Sequence, residues 1–229
     1  MLVDRSVKYY RHGMGRPRAF DKAEVLVRLR DPFWSRGFAA TSLDDLMSAT
    51  GLGKGSLYAA FGDKHQLFLE VLEAYCAWRL AELRAVLGRD AGQKPAIERL
   101  RSFFRGEGLA PPTELASTRG CLLVNSTTEL GDHDEAVQRM ARDTFGVIES
   151  DLAALLEEAI QDGDLPEDTS PRALARLLMA VSHGMEFQAK TGLPAAQVAS
   201  VGREAALRLL GGTSPPPPKK RPARSRARP

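Results

Sequence analysis

The sequence predicts an all-α chain: a helix-turn-helix unit followed by a larger helical domain. Three observations carry that expectation. Apolar residues recur at three- and four-residue spacing through most of residues 22–211, and no stretch alternates as a half-buried strand would. Between Thr41 and Phe61, two short amphipathic segments meet at Gly51, where only glycine takes a left-handed turn cheaply. The charge is also uneven. Residues 1–22 carry six Lys/Arg against two Asp, and residues 213–229 carry six Lys/Arg and no acid. The whole chain is +3, which leaves −7 on residues 23–212. Basic ends on an acidic body suit a polyanionic partner, or for the C-terminal tail simply solubility.

Residues 1–20 show no helical period and read as a flexible basic arm, with Met14 an alternative start. Arg16 and Arg18, separated by Pro17, suit an arm lying along a groove; the other reading is a plain leader. Asp21 and Glu24 begin a first helix at 22–36, whose buried stripe is Val25, Leu26, Leu29, Phe33 and Trp34. Pro32 inside it predicts a kink or an early stop near Asp31. Thr41 reads as the cap of the second helix, with Asp44 completing its acidic first turn. Leu43, Leu46 and Met47 form its inner face. Gly53-Lys54-Gly55-Ser56 opens the third helix, which buries Leu57 and Phe61.

A long fourth helix follows at 64–87, and Gly88 to Pro95 is a linker. Ile97, Leu100, Phe103 and Phe104 mark a fifth helix, and residues 106–119 form a loop. Cys121–Leu130 and Glu135–Gln161 are the next two helices, the second long and amphipathic. The last pair, 172–190 and 194–211, contains small residues, among them Ala195, Ala196, Ala199, Ala205 and Ala206, that suit close packing against a second subunit. Residues 213–229 are a Pro-rich basic tail expected to be disordered. The expected division is a DNA-binding unit at 21–66 and a helical body at 67–212.

The third helix turns a cation, a hydroxyl and a phenol outward: Lys54, Ser56 and Tyr58. Such groups bind phosphate oxygens and base edges. Other chemistries find little support. The glycines around Lys54 miss the phosphate-loop pattern, because Ser48 and Gly55 stand where it needs Gly and Ser/Thr. His12, His65, His133 and His183 have no metal-ligand spacing, and no cofactor is expected. His183 and Glu186 share a helix face, which suits pocket lining or a core pair better than acid–base catalysis. No apolar run approaches the roughly 20 residues of a membrane span, and no secretory h-region is present. With only Cys76 and Cys121, a disulfide framework is excluded, and a cytoplasmic location is the default.

The runs Gly37-Phe38-Ala39-Ala40-Thr41-Ser42, Asp44-Asp45-Leu46 and Gly53-Lys54-Gly55-Ser56-Leu57-Tyr58-Ala59-Ala60-Phe61-Gly62-Asp63-Lys64 resemble the N-terminal domain of TetR-type transcriptional regulators. The resemblance covers about residues 20–70. It implies an all-α homodimer whose larger domain binds a small-molecule inducer and dimerises, and whose recognition helices read double-stranded operator DNA. By the same resemblance Thr41 and Tyr58 contact phosphate, with Ser42 alongside. Lys54, Gly55 and Ser56 face the major groove, and Lys64 holds another phosphate. The segments Arg119–Asn125 and Phe187–Lys190 are similar to a TetR-type subgroup that includes sensors of electrophiles or oxidants. That likeness singles out Cys121 and Lys190, with His183 nearby. A cysteine at a helix start beside an ammonium is expected to have a lowered pKa. The alternative is a small buried hydrophobe.

The expectation is therefore a cytoplasmic, homodimeric repressor released from a palindromic operator by a small molecule, electrophile or oxidant. A small helical enzyme working at His183 and Glu186, and an interaction protein that ignores DNA, are the readings from other classes.

Overall fold

The computed structural model describes residues 20–88, 94–105 and 118–211, and among these the secondary structure is entirely helical. The helices are α1 Lys22–Ala40, α2 Leu43–Thr50, α3 Lys54–Phe61, α4 Lys64–Leu87, α5 Ala96–Arg105, α6 Leu122–Leu130, α7 Glu135–Gln161, α8 Pro171–Lys190 and α9 Ala195–Leu210. Arg16 and Arg18, most of the 106–119 loop and the 213–229 tail lie outside the described residues.

The helix starts follow from short polar side chains that satisfy the first free amides. The Asp21 carboxylate accepts from the Ala23 amide at 2.8 Å. Asp63 and Gln66 form a reciprocal capping box on α4. Asp134 accepts from Ala136 and Val137 at the head of α7. Gly51, at φ 72°, closes α2 with its amide on the Met47 carbonyl.

Two expectations about the first helices need correction. The cap of α2 is Ser42 with Asp45, one residue beyond Thr41 and Asp44. The Thr41 hydroxyl is fully buried and donates to the Gly37 carbonyl at 2.6 Å, so it serves the end of α1 instead. Nor does α1 stop near Asp31. Its backbone stays helical through Pro32 and breaks at Gly37, at φ 81° and ψ 176°. A proline forfeits one hydrogen bond, whereas this backbone geometry is essentially confined to glycine. The carboxylate of Glu129 in α6 accepts from the Phe38 and Ala39 amides at 2.9 and 2.7 Å, which fixes the break.

Two hydrophobic cores hold the helices. The first gathers Leu29, Phe33 and Trp34 of α1, Leu46, Leu57, and α4 as far as Cys76, together with Leu122, Leu123, Val137 and Ala141 of α6 and α7. The second joins Leu83 and Leu87 to α5, the later part of α7, α8 and α9. Packing is thus continuous across residue 66, because α4 and α7 run through both cores. Of the small residues of α9, Ala205 and Ala206, with Gly202, are used within the chain, while Ala195 and Ala196 stay exposed. Gly202 lies so close to α5 that a Cβ there would overlap the Phe104 carbonyl, and Ala205 and Ala206 are buried in the same core.

Candidate nucleic-acid interface and effector cavity

α2 and α3 pack on α1 and α4 through Leu46, Leu57 and Phe61, all buried. That fixes which face of α3 points away from the molecule. Lys54, Gly55 and Ser56 are exposed there, and Tyr58 is half-buried with the Lys54 ammonium 5.7 Å from its ring. No side chain caps α3, so its positive end is open to an anion, unlike those of α2 and α4. Ser42 is exposed, yet its hydroxyl is engaged with Asp45 at 2.7 Å. Hydrogen bonds from the Ser42 hydroxyl and backbone, with Arg36 beside them, hold the Asp45 carboxyl down at about 2. Lys64 is half-buried at the start of α4, its ammonium 4.6 Å from the Phe38 ring. Lys54, Gly55 and Ser56 thus lie on the exposed face of α3 with Tyr58 beside them, and Lys64 lies at the start of α4, while Thr41 is turned inward.

In the helical body, a cavity of about 40 Å³ lies among α4, α5, α7 and α8. Its walls are mainly apolar, with Phe103, Phe145, Leu178 and Met179 among them. Its polar end is formed by Tyr75, Arg79, Cys121 and His183. Arg79 is paired with Glu186 of α8, and both side chains are nearly buried. Burial pushes the His183 imidazole below its ordinary value, which favours its neutral form. Its ring packs 5.0 Å from Phe145. Glu186 is committed to Arg79 rather than to His183, which removes the basis for an acid–base pair. A larger cavity of about 410 Å³ lies between α1, α6 and α8, and Cys121 and His183 line both.

Cys121 precedes α6 as expected, but its thiol is raised rather than lowered. Burial is the main cause, and the negative charge of Glu186 adds to it. Both outweigh the helix start, because a thiolate out of water loses more than a partial charge returns. The Lys190 ammonium donates to the Asn125 side chain at 2.9 Å and makes no hydrogen bond to the thiol. Cys76 is pushed up to about 11, again mainly by burial.

Three residues that shape these sites carry little or no signal in the sequence. Arg79 was legible only as a cation on an otherwise apolar stretch of α4. Glu129 gave no signal, since its partners are backbone amides 90 residues away. Arg30 lies over the Trp34 and Trp78 rings, at 5.6 and 5.4 Å, which accounts for a cation in a core-facing helix.

Residues 29–71 match the family model described as bacterial regulatory proteins, tetR family, and residues 96–200 match that of the tetracyclin repressor-like C-terminal domain. The chain is 33% identical over 178 residues to the uncharacterized HTH-type transcriptional regulator YezE of Bacillus subtilis (strain 168), covering 77% of this chain and 90% of that protein. It is 28% identical over 191 residues to the HTH-type transcriptional repressor ComR of Escherichia coli (strain K12), covering 83% and 90%. Among solved structures it resembles a cysteine mutant of the TetR family transcriptional regulator CifR complexed with 26 bp double-strand operator DNA. That likeness has a TM-score of 0.70 and 32% identity, over 84% of this chain and 99% of that one.

Proposed function

This chain belongs to the tetR family of bacterial regulatory proteins, and from that premise we propose that it represses transcription as a homodimer released from a palindromic operator by a small-molecule effector. The observation that carries this reading is the exposed row Lys54, Gly55 and Ser56 on α3, above buried Leu57 and Phe61. A helix seated on two apolar anchors is rigid enough to hold those donors in a major groove. Tyr58 and Lys64 take phosphates beside it, and Ser42 orders the turn that leads into α2. Arg16 and Arg18 extend the contact along the duplex. The DNA-binding unit is 21–66 and the body that binds effector and partner is 67–212.

The homodimer is supported by α8. Ala173, Leu177, Ala180, Gly184 and Phe187 follow one another at helical spacing, and Leu177 and Phe187 are 46% and 68% exposed. Large apolar side chains left in water along one stripe suit a second copy of the same helix. Two recognition helices about 34–36 Å apart then meet successive major grooves on one face of the duplex.

The inner cavity, apolar with one polar end, suits a small molecule. The raised thiols of Cys121 and Cys76 favour that effector over an oxidant or electrophile. Release requires that the effector bind the DNA-incompetent arrangement better than the other, since equal affinity shifts nothing. No helix of the described residues is long and apolar enough to cross a membrane. The cytoplasm, where operator DNA is found, is the proposed location.

Fluorescence anisotropy with duplex DNA from upstream of the chain's own gene tests the proposal. A saturable complex is expected that weakens steeply with salt and exceeds binding to a scrambled duplex. Equal affinity for both duplexes overturns it.

A further inference from the structure

The cavity between α1, α6 and α8 is absorbed neither by the DNA-reading face nor by the inner cavity. Its volume, about 410 Å³, well exceeds the roughly 150 Å³ in which an engineered cavity holds benzene. One wall is apolar, formed by Phe33, Trp34, Leu122 and Val124. At the other side stands Glu186, whose Oε2 is buried and accepts no hydrogen bond from the described residues. Its other oxygen is held by Arg79. A buried carboxylate oxygen without a donor is costly, more so than an ordinary buried polar group, because it carries charge. A ligand that donates there recovers that loss.

The charged side chains lining this cavity are Arg36, Glu129, Glu186 and Lys190, two cations and two anions. Each is engaged: Arg36 with Asp45, Glu129 with two backbone amides, Glu186 with Arg79, and Lys190 with Asn125. Two cations and two anions leave the lining with no net charge, so a ligand bringing a net charge gains no overall attraction to offset its loss of hydration.

We infer that this cavity is a second ligand site, facing α1, for compact neutral molecules with a flat apolar body and a hydroxyl or amide N–H that donates to Glu186. Its far end is the Gly37 break of α1 held by Glu129, so an occupant touches both the helical body and the helix on which the DNA-reading unit is packed. A ligand here therefore biases the position of that unit. This consequence rests on the repressor reading; the binding itself does not.

The two tryptophans are Trp34, in the wall of the cavity, and Trp78. In the full chain carrying Trp78→Phe, Trp34 emission reports occupancy. Benzyl alcohol is expected to change that emission saturably, with benzoate and benzylammonium at least about tenfold weaker. Glu186→Gln is expected to weaken benzyl alcohol about tenfold and to bring benzoate up, because the cavity then carries a net positive charge. Val124→Phe puts a ring into the apolar wall where the flat body would lie, without touching the ion pairs, and is expected to weaken the response at least about tenfold while operator binding stays unchanged. Benzyl alcohol is also expected to lower operator affinity in the parent and less so in Val124→Phe. The inference is overturned if the three probes bind alike, or if Val124→Phe leaves the response intact. Operator binding by the unliganded protein, measured on the same samples, tests the repressor reading separately.

Discussion

Lys54, Ser56, Tyr58 and Lys64 do different work because their chemistry differs. An ammonium or a phenol on a phosphate oxygen positions the protein and reads no sequence, whereas a short hydroxyl in the groove meets base edges. Tyr58→Phe and Lys64→Ala are therefore expected to weaken binding to operator and scrambled duplex by similar factors. Lys64→Ala is also expected to lower the salt slope by about one. Ser56→Ala is expected to change the preference among operator variants as well. Anisotropy titrations over a salt series check both, and unchanged affinity in all three variants would remove the assigned interface. The cysteines invite a second prediction. Burial raises both thiols, so folded protein at pH 8 is expected to react with iodoacetamide far more slowly than urea-unfolded protein at both positions, as mass spectrometry would show. Fast labelling of Cys121 in the folded chain would restore the oxidant reading.

Among the elements, α1 and α2 show how a few polar groups decide where a helix ends. At Gly37, any side chain meets both an unfavourable backbone and the Glu129 carboxylate, 2.5 Å from where a Cβ would lie. Gly37→Ala is expected to cost about 1–3 kcal/mol in urea unfolding. Glu129→Gln, which retains an acceptor oxygen, is expected to cost less. The capping box of α2 makes Ser42→Ala a loss of about 1 kcal/mol. It also gives a pH dependence. The folded Asp45 carboxyl is held at about 2, against an ordinary 3.8, so its stabilising contribution is complete above the ordinary value and is lost as pH falls through about 2. The stability difference between the parent and Asp45→Asn is expected to be constant from neutral pH to about 4 and to vanish toward 2. A difference that persists at pH 2 would contradict the capping role.

At the scale of the molecule, the two cores interlock through α4 and α7, so the DNA-reading unit is packed onto the body rather than tethered to it. The hydrogen bond between the His65 ring of α4 and the Asp134 carboxylate at the head of α7, 2.6 Å long, joins the two as well. Such packing lets a change at α6 or α8 reach α1. The stripe on α8 carries the prediction for assembly. Leu177→Glu with Phe187→Glu is expected to give a monomer in sedimentation while circular dichroism stays helical, because both side chains are already in water. Operator affinity is expected to fall about a hundredfold, since the second recognition helix no longer binds intramolecularly. A dimer that survives both charges would move the interface elsewhere.

Local sequence is enough to set the helices and the outward row of α3. Both depend on neighbours within a few residues: caps such as Asp21 and Asp63, the glycine at 51, and apolar spacing. Even the bounds of α4 and α7 follow from such local signals. It placed the cap of α2 one residue early, because Thr41 and Ser42 are chemically alike and only burial separates them. Tertiary structure alone decided the rest. Whether the Cys121 thiol is raised or lowered depends on Glu186 and on burial beneath α4 and α8. Whether the small residues of α9 face a partner or α5 depends on how helices about a hundred residues apart pack. The Glu129 clasp on the Ala39 amide and the Arg79–Glu186 pair join residues 90 and 107 positions apart. Short-range pattern encodes conformation, while charge in a cavity is set by what the whole chain brings there.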